Sequence, residues 1–239
     1  MFYDYRISFF EFWKYCNKKY KKCVFVLIGV NMKKIVLFLV ILLSCSNMFS
    51  QTSTKQDALV LYNNGKYREA IKVCEEELVV TPNNVESYVV MCWALVKNRQ
   101  YAEAEQRAME GLKLSPYDLR LIEILGEAKY YLGKNTGAME QFQKYVASAP
   151  ESSARVGSAY YFMGEIFIKQ ARFQHADIAL SAAVKKEPSI DSWWIRLGYA
   201  REKAGNYLES FNAYEEALRL NPSSIDAARG RERASAELQ

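Results

Sequence analysis

The chain has 239 residues, half of them hydrophobic and a quarter charged, enough to bury a substantial core in one or two domains. The net charge of +5 is unevenly placed. Residues 1–50 hold eight of the 32 lysines and arginines but two of the 27 acids, so the remainder is near neutral and lacks the concentrated basic face that nucleic-acid binding needs. One histidine, His175, and five cysteines without a Cys-x-x-Cys pair give no basis for a structural zinc site.

Residues 1–31 are crowded with aromatics and lysines and show no clear period. They read as an over-extended start, with translation beginning at Met32, or as a basic leader. Residues 32–50 have the order of a secretory signal peptide: Met-Lys-Lys, an apolar run from Ile35 to Leu43, then small polar residues. That run is too short for a permanent anchor, which needs about 20 apolar residues. Two processing routes stay open. Cleavage after Ser50 leaves Gln51 first, whereas Leu42-Leu43-Ser44-Cys45 resembles a lipobox that would lipidate Cys45. The expected location is periplasmic or in the cell envelope, with a membrane contact only through the leader or a lipidated Cys45.

From residue 51 onward apolar and polar residues do not alternate as in strands, and the pattern is helical. The prolines mark a period: Pro82, Pro116 and Pro150 are 34 apart, Pro188 follows after 38, and Pro222 after 34 more. Other places keep the same step. Tyr67, Tyr101, Phe173 and Tyr207 share one, with Asn135 in the third copy. Ala70, Ala104, Ala138, Ala176 and Ser210 share a second, and Leu78, Leu112, Val146, Val184 and Leu218 a third. Ala58, Cys92, Gly126, Gly164 and Gly198 share a fourth. Small residues at two of these places let paired helices approach closely. Each proline ends a second helix that it cannot continue. Asn83, Asn84, Asp118, Ser153, Ser189 and Ser223 are candidate caps for the helices that follow.

A 34-residue period with these residues resembles the tetratricopeptide-repeat (TPR) family. The fifth copy carries the resemblance best, with Trp194, Leu197-Gly198, Gly205, Tyr207, Phe211, Tyr214, Ala217-Leu218 and Pro222. The resemblance implies an all-α, right-handed superhelical solenoid of five helix-turn-helix repeats: residues 51–84, 85–118, 119–152, 153–190 and 191–224. The four residues added before Pro188 are expected to lengthen the first helix of the fourth repeat by one turn. Residues 225–239 are polar on one side and form the expected capping helix.

The resemblance also implies a function. In this family partners usually bind the concave wall lined by the first helix of each repeat. Projecting the helical period places Lys55, Leu59 and Tyr62 of the first copy on that wall, with Val89, Trp93 and Val96 of the second. The third gives Glu123, Glu127, Tyr130 and Tyr131, the fourth Tyr161, Glu165 and Lys169, and the fifth Ile195, Tyr199 and Glu202. From these, Tyr62, Val89, Trp93, Glu127, Tyr130, Tyr131, Tyr161, Glu165 and Tyr199 are the candidate partner-binding residues. Tyrosine and tryptophan are enriched at binding hot spots, though these rings also have the spacing of core residues. Family members that hold chaperone tails use a clamp of lysines, asparagines and an arginine. Lys55 fits one such place, but Leu59 and Val90 stand where that clamp has asparagine, so the clamp is not expected here.

Signs of catalysis are weak. His175 stands alone, and the runs Glu75-Glu76-Glu77 and Glu215-Glu216 alternate with a buried stripe. Gly126, Gly133 and Gly137 belong to no phosphate loop. Cys74 and Cys92 take places for buried residues, and an exported chain leaves a disulfide between them open. The expectation is a non-enzymatic scaffold or adaptor for a protein or peptide, with no cofactor, metal or nucleic acid. The alternative is a tethered lipoprotein component of an envelope-assembly or secretion complex.

Overall fold

The computed structural model describes residues 57–150 and 152–239, all within one compact unit, Gln56–Gln239. The leader, both processing routes and Lys55 lie outside the described residues. Those residues form eleven helices and no strand: α1 (Ala58–Asn63), α2 (Tyr67–Val80), α3 (Val85–Lys97), α4 (Tyr101–Leu114), α5 (Leu119–Tyr131), α6 (Asn135–Ser148), α7 (Val156–Lys169), α8 (Phe173–Lys186), α9 (Asp191–Lys203), α10 (Tyr207–Leu220) and α11 (Ile225–Ala236). They are five antiparallel pairs and a final helix. None of the described helices is long and apolar enough to cross a membrane.

Small residues set how closely each pair packs. Ala70, Ala104, Ala138, Ala176 and Ser210 are all wholly buried. Opposite them, a methyl group added at Gly126 would sit 2.8 Å from the Phe142 ring, one at Gly164 2.5 Å from Leu180 Cγ, and one at Gly198 2.9 Å from the Tyr214 ring. The glycines therefore admit a large side chain from the second helix of the pair. At Ser210 the hydroxyl donates to the Gly198 carbonyl at 2.8 Å, which satisfies a polar group the core would otherwise strand. Cys74 and Cys92 are free thiols in this core, without a disulfide. Burial pushes the Cys74 thiol up to about 12 and raises that of Cys92 as well, so neither is a reactive thiolate.

The layering follows from which helices touch. First helices meet across each boundary, α1 with α3, α3 with α5, α5 with α7, α7 with α9 and α9 with α11. Among the described residues no second helix touches another second helix. The first helices are thus crowded together on the inner side of the solenoid and the second helices are spread on the outer side.

The turn inside each pair has a recurring backbone. Gly65, Arg99, Gly133, Ala171 and Gly205 all have positive φ, between 56° and 82°. Three glycines supply this freely, while Arg99 and Ala171 adopt it against their Cβ.

Several local expectations need correction. The four extra residues do not lengthen α7 by a turn. Residues 152–155 form a non-helical turn and α7 has 14 residues against 13 in α3, α5 and α9. The physical reason lies in Arg155, which caps α7 without a side-chain cap and directs its guanidinium at the preceding repeat. The caps also differ. Asp118 accepts from Arg120 N and Leu121 N as expected, and Asn84 holds the cap position without a side-chain bond. Ser224, not Ser223, caps α11, while Ile190 rather than Ser189 precedes α9. Asp57 caps α1.

Candidate partner-binding groove

The inner wall carries a row of rings in three groups. Tyr62 of α1 lies against Trp93 of α3 with centroids 5.8 Å apart. The largest group runs from Tyr101 of the second repeat to Trp193 of the fifth. Tyr131 stacks on Tyr101 at 4.5 Å and meets Tyr130 at 5.3 Å. Tyr130 contacts Phe162 at 5.0 Å, and Tyr161 stacks on Trp193 at 5.0 Å with planes 11° apart. Tyr199 meets Phe173 edge-on. Tyr131 is exposed, and Tyr62, Trp93, Tyr130, Tyr161 and Tyr199 are half-buried. Each therefore packs part of its area against neighbouring residues and leaves part exposed.

Val89 does not belong to this surface. It is wholly buried in the first core cluster, because its side of α3 packs onto the neighbouring helices and leaves it no atom to offer a partner. Val96 is buried in the same cluster. Glu127 and Glu165 are also buried, but for another reason: each is held by an arginine from the next repeat.

These arginines form a ladder from repeat to repeat. Arg120 of α5 grips Glu86 of α3 with two bonds of 2.7 Å. Arg155 Nη2 donates to Glu123 at 2.5 Å and to Glu127 at 2.7 Å. Arg196 of α9 holds both oxygens of Glu165, at 2.5 and 3.0 Å. Arg233 of α11 holds both oxygens of Glu202, at 3.0 and 2.8 Å, and Tyr214 donates to the same carboxylate at 3.0 Å. Two-pronged arginine pairs fix orientation as well as distance. The ladder fastens each first helix to its successor from the second repeat to the end.

The rings and the ladder share one electrostatic environment. Burial raises the Tyr62 phenol against the pull of Arg155. Burial, assisted by Glu165, lifts Tyr130 and Tyr161 to about 12. All these phenols are neutral hydrogen-bonding groups near neutral pH.

Glu123 is the carboxyl most displaced from its ordinary behaviour among the described residues. Burial lifts its carboxyl to about 7 against the pull of Arg155 and Lys97, and Glu127 adds to the lift. A folded-state value above the unfolded one means that the native chain binds a proton the unfolded chain lacks. This group therefore adds stability as pH falls from about 7 toward the ordinary carboxylate range and withdraws it as pH rises again. Glu86 and Glu202 are shifted the other way: the Arg120 bond lowers Glu86 outright, while at Glu202 burial opposes but the Arg233 and Tyr214 bonds prevail. Their contributions are present above the unfolded carboxylate range and fade only under more acid conditions. Urea midpoints of wild type and Glu123→Gln across pH 5–8 test this. The substitution should flatten the part of the profile in which stability declines toward pH 8. An unchanged profile would mean that Glu123 is ionised throughout.

The ladder was not anticipated from the sequence. A usable signal was present, since Glu165 to Arg196 and Glu202 to Arg233 are each 31 residues apart and Glu86 to Arg120 is 34. Arg155 offered no such cue because it lies within the four-residue insertion. The remaining chemistry is sparse. His175 is exposed and rests beside Phe167. No group of three or more His, Cys, Asp or Glu able to hold a metal ion occurs among the described residues.

Comparison with known proteins agrees with this architecture. A family model described as "Tetratricopeptide repeat" matches residues 192–224, the fifth helical pair and the turn after it. The human protein O-mannosyl-transferase TMTC1 is 22% identical over 163 residues, which are 68% of this chain and 18% of that protein. The peroxisomal targeting signal receptor of Saccharomyces cerevisiae is 30% identical over 105 residues, 43% of this chain and 16% of that one. The chain thus spans less than a fifth of either relative. Among solved structures, MamA from Desulfovibrio magneticus RS-1 superposes with a TM-score of 0.60 at 21% identity, over 70% of this chain and 93% of that one. YrrB, described as a TPR protein with an unusual peptide-binding site, gives 0.60 at 16% identity over 73% and 88%. These likenesses are of fold.

Proposed function

Because the chain is a tetratricopeptide-repeat protein, we propose that it is a non-enzymatic scaffold outside the cytoplasm, holding a peptide or protein partner against its inner wall. The observation that carries this reading is the set of incompletely buried rings on the side where successive first helices meet. Large aromatic side chains that keep part of their area in a concave wall are the common anchors of protein recognition. Peptide binding by YrrB is a property of that protein and lends support by analogy of fold. The paired state of the groove carboxylates favours binding over catalysis, since an acid or base must be available to a substrate.

The test removes one ring from each of the two larger groups. Trp93→Ala with Tyr131→Ala should leave the helical circular dichroism signal intact. A partner captured from envelope extract by the wild type and then measured in isolation should bind the variant at least tenfold more weakly, because such anchors are often worth about 2 kcal/mol each. A folded variant with full affinity would move the interface elsewhere. Loss of the helical signal would make these rings core residues.

The second reading, a lipoprotein tethered at Cys45, rests on Leu42-Leu43-Ser44-Cys45. The mass of the mature N-terminus separates the two: Gln51 first is expected for the free scaffold and acylated Cys45 for the tethered component. An unprocessed chain would remove the signal-peptide reading of residues 32–50.

A further inference from the structure

The charges on the inner wall are not equally accessible. In the Arg155 pair the Glu123 side chain is 2% exposed and the arginine 37%. The Glu165 side chain is 11% exposed beneath Arg196 at 33%. Glu202 is 9% exposed beside Lys203 at 45%. At each place the carboxylate is the floor and the cation is the cover. A chain segment of near-neutral composition thereby presents a positive surface to anything that enters the groove.

The covering cations also retain unused donors. Arg155 spends only Nη2 on its two carboxylates, and no bond from its Nη1 is formed among the described residues. Arg196 spends Nε and Nη2, and no bond from its Nη1 is formed among the described residues. Lys169 is exposed and its Nζ lies 3.7 Å from the centre of the Tyr130 ring, while Arg196 and Lys203 lie over Tyr199 at 5.2 and 5.6 Å. Such cations are placed by ring faces rather than neutralised by them, because a π face attracts a cation without consuming its charge.

We propose that the groove half built by repeats three to five takes an extended, acidic segment of a protein partner. Its carboxylates meet Arg155, Lys169, Arg196 and Lys203, and its apolar side chains rest on the tyrosines between them. The proposal rests on the groove reading above and adds the chemistry of the occupant. A basic segment would meet these cations head-on, and the carboxylates it would need lie underneath, already bonded. A neutral segment would leave the spare guanidinium donors unused.

The experiment uses the full chain and fluorescein-labelled peptides of about 12 residues in which every second residue is Glu, Gln or Lys and the others are Tyr or Leu. Fluorescence anisotropy should give the Glu peptide roughly tenfold tighter binding than the Gln peptide, with an advantage that disappears at about 0.5 M NaCl as charges are screened. Lys169→Glu with Lys203→Glu should abolish the preference. Lys72→Glu with Lys185→Glu makes the same charge change at exposed positions on second helices and should preserve it. Equal loss in both variants would reveal unspecific attraction and overturn the proposal. Equal or tighter binding of the Gln or Lys peptide would also overturn it, while the groove reading stands if Trp93→Ala with Tyr131→Ala still removes that binding. Failure of all three peptides to bind would overturn the acidic occupant.

Discussion

Gly164→Leu is expected to lower the melting temperature of the full chain by roughly 6–12 °C, the shift that about 3 kcal/mol produces in a domain of this size. A Cβ at this position would already sit 2.5 Å from Leu180 Cγ and 2.8 Å from Leu180 Cδ2. Leu180 is itself wholly buried, so it cannot turn out to solvent without leaving the core. The added bulk must therefore separate α7 from α8, the two helices of the fourth repeat. In a solenoid that damage passes to the neighbours through the interfaces the repeat makes with them. The partner substitution makes the assignment specific. Leu180→Ala alone should destabilise by leaving a cavity, yet in the Gly164→Leu background it should restore part of the loss. The two residues then show a coupling of about 0.5–3 kcal/mol. A melting temperature equal to that of the wild type would mean that these residues do not touch.

What the sequence disclosed about the fold tracks which interactions repeat. Pair packing depends on one small residue and one large partner, Gly126 with Phe142, Gly164 with Leu180 and Gly198 with Tyr214, and each recurs at the period of the chain. A recurring contact leaves a recurring residue, so the number of helical pairs and their order were legible. The insertion was not. Four residues equal about one helical turn, and helix extension and loop extension look alike in sequence. Arg155 decided between them because it reaches back to Glu123 and Glu127 in the preceding repeat, a contact made once at that boundary. The groove divides in the same way. Ring positions such as Tyr130 and Tyr161 follow helical periodicity, while the depth of a given side does not. Val89 was placed on the wall by period alone but sinks into the core, since α3 is packed by neighbours on more than one side. The carboxylates have the helical period of wall residues, but their burial in ion pairs was illegible because their partners lie a repeat away.

Arg155→Ala is expected to cost about 2–3 kcal/mol, and its replacement together with its partners to cost far less. The Arg155 guanidinium bonds two carboxylates, of which Glu123 is buried and Glu127 nearly so. Removing the cation leaves both acids in a site with little water, and stranding a fully buried charge costs about 3–5 kcal/mol. The lower figure allows for the partial exposure of the arginine side chain, which lets solvent screen part of the loss. The ion cluster also forgoes desolvation energy that an apolar cluster would keep. Arg155→Met with Glu123→Leu and Glu127→Met preserves approximate volume and removes every charge at once. That triple variant should match the wild type or exceed it in urea unfolding, and should lose the pH dependence assigned to Glu123. Arg155→Ala should recover partially at low pH, where Glu123 takes up its proton most readily. A harmless Arg155→Ala would show that the carboxylates are hydrated and that the boundary between repeats three and four is held by its rings, Phe142 stacked on Phe162 at 5.2 Å and Tyr130 beside them. A triple variant as damaged as the single one would show instead that the arginine works by packing its stem into the turn at 152–155, with the charges secondary.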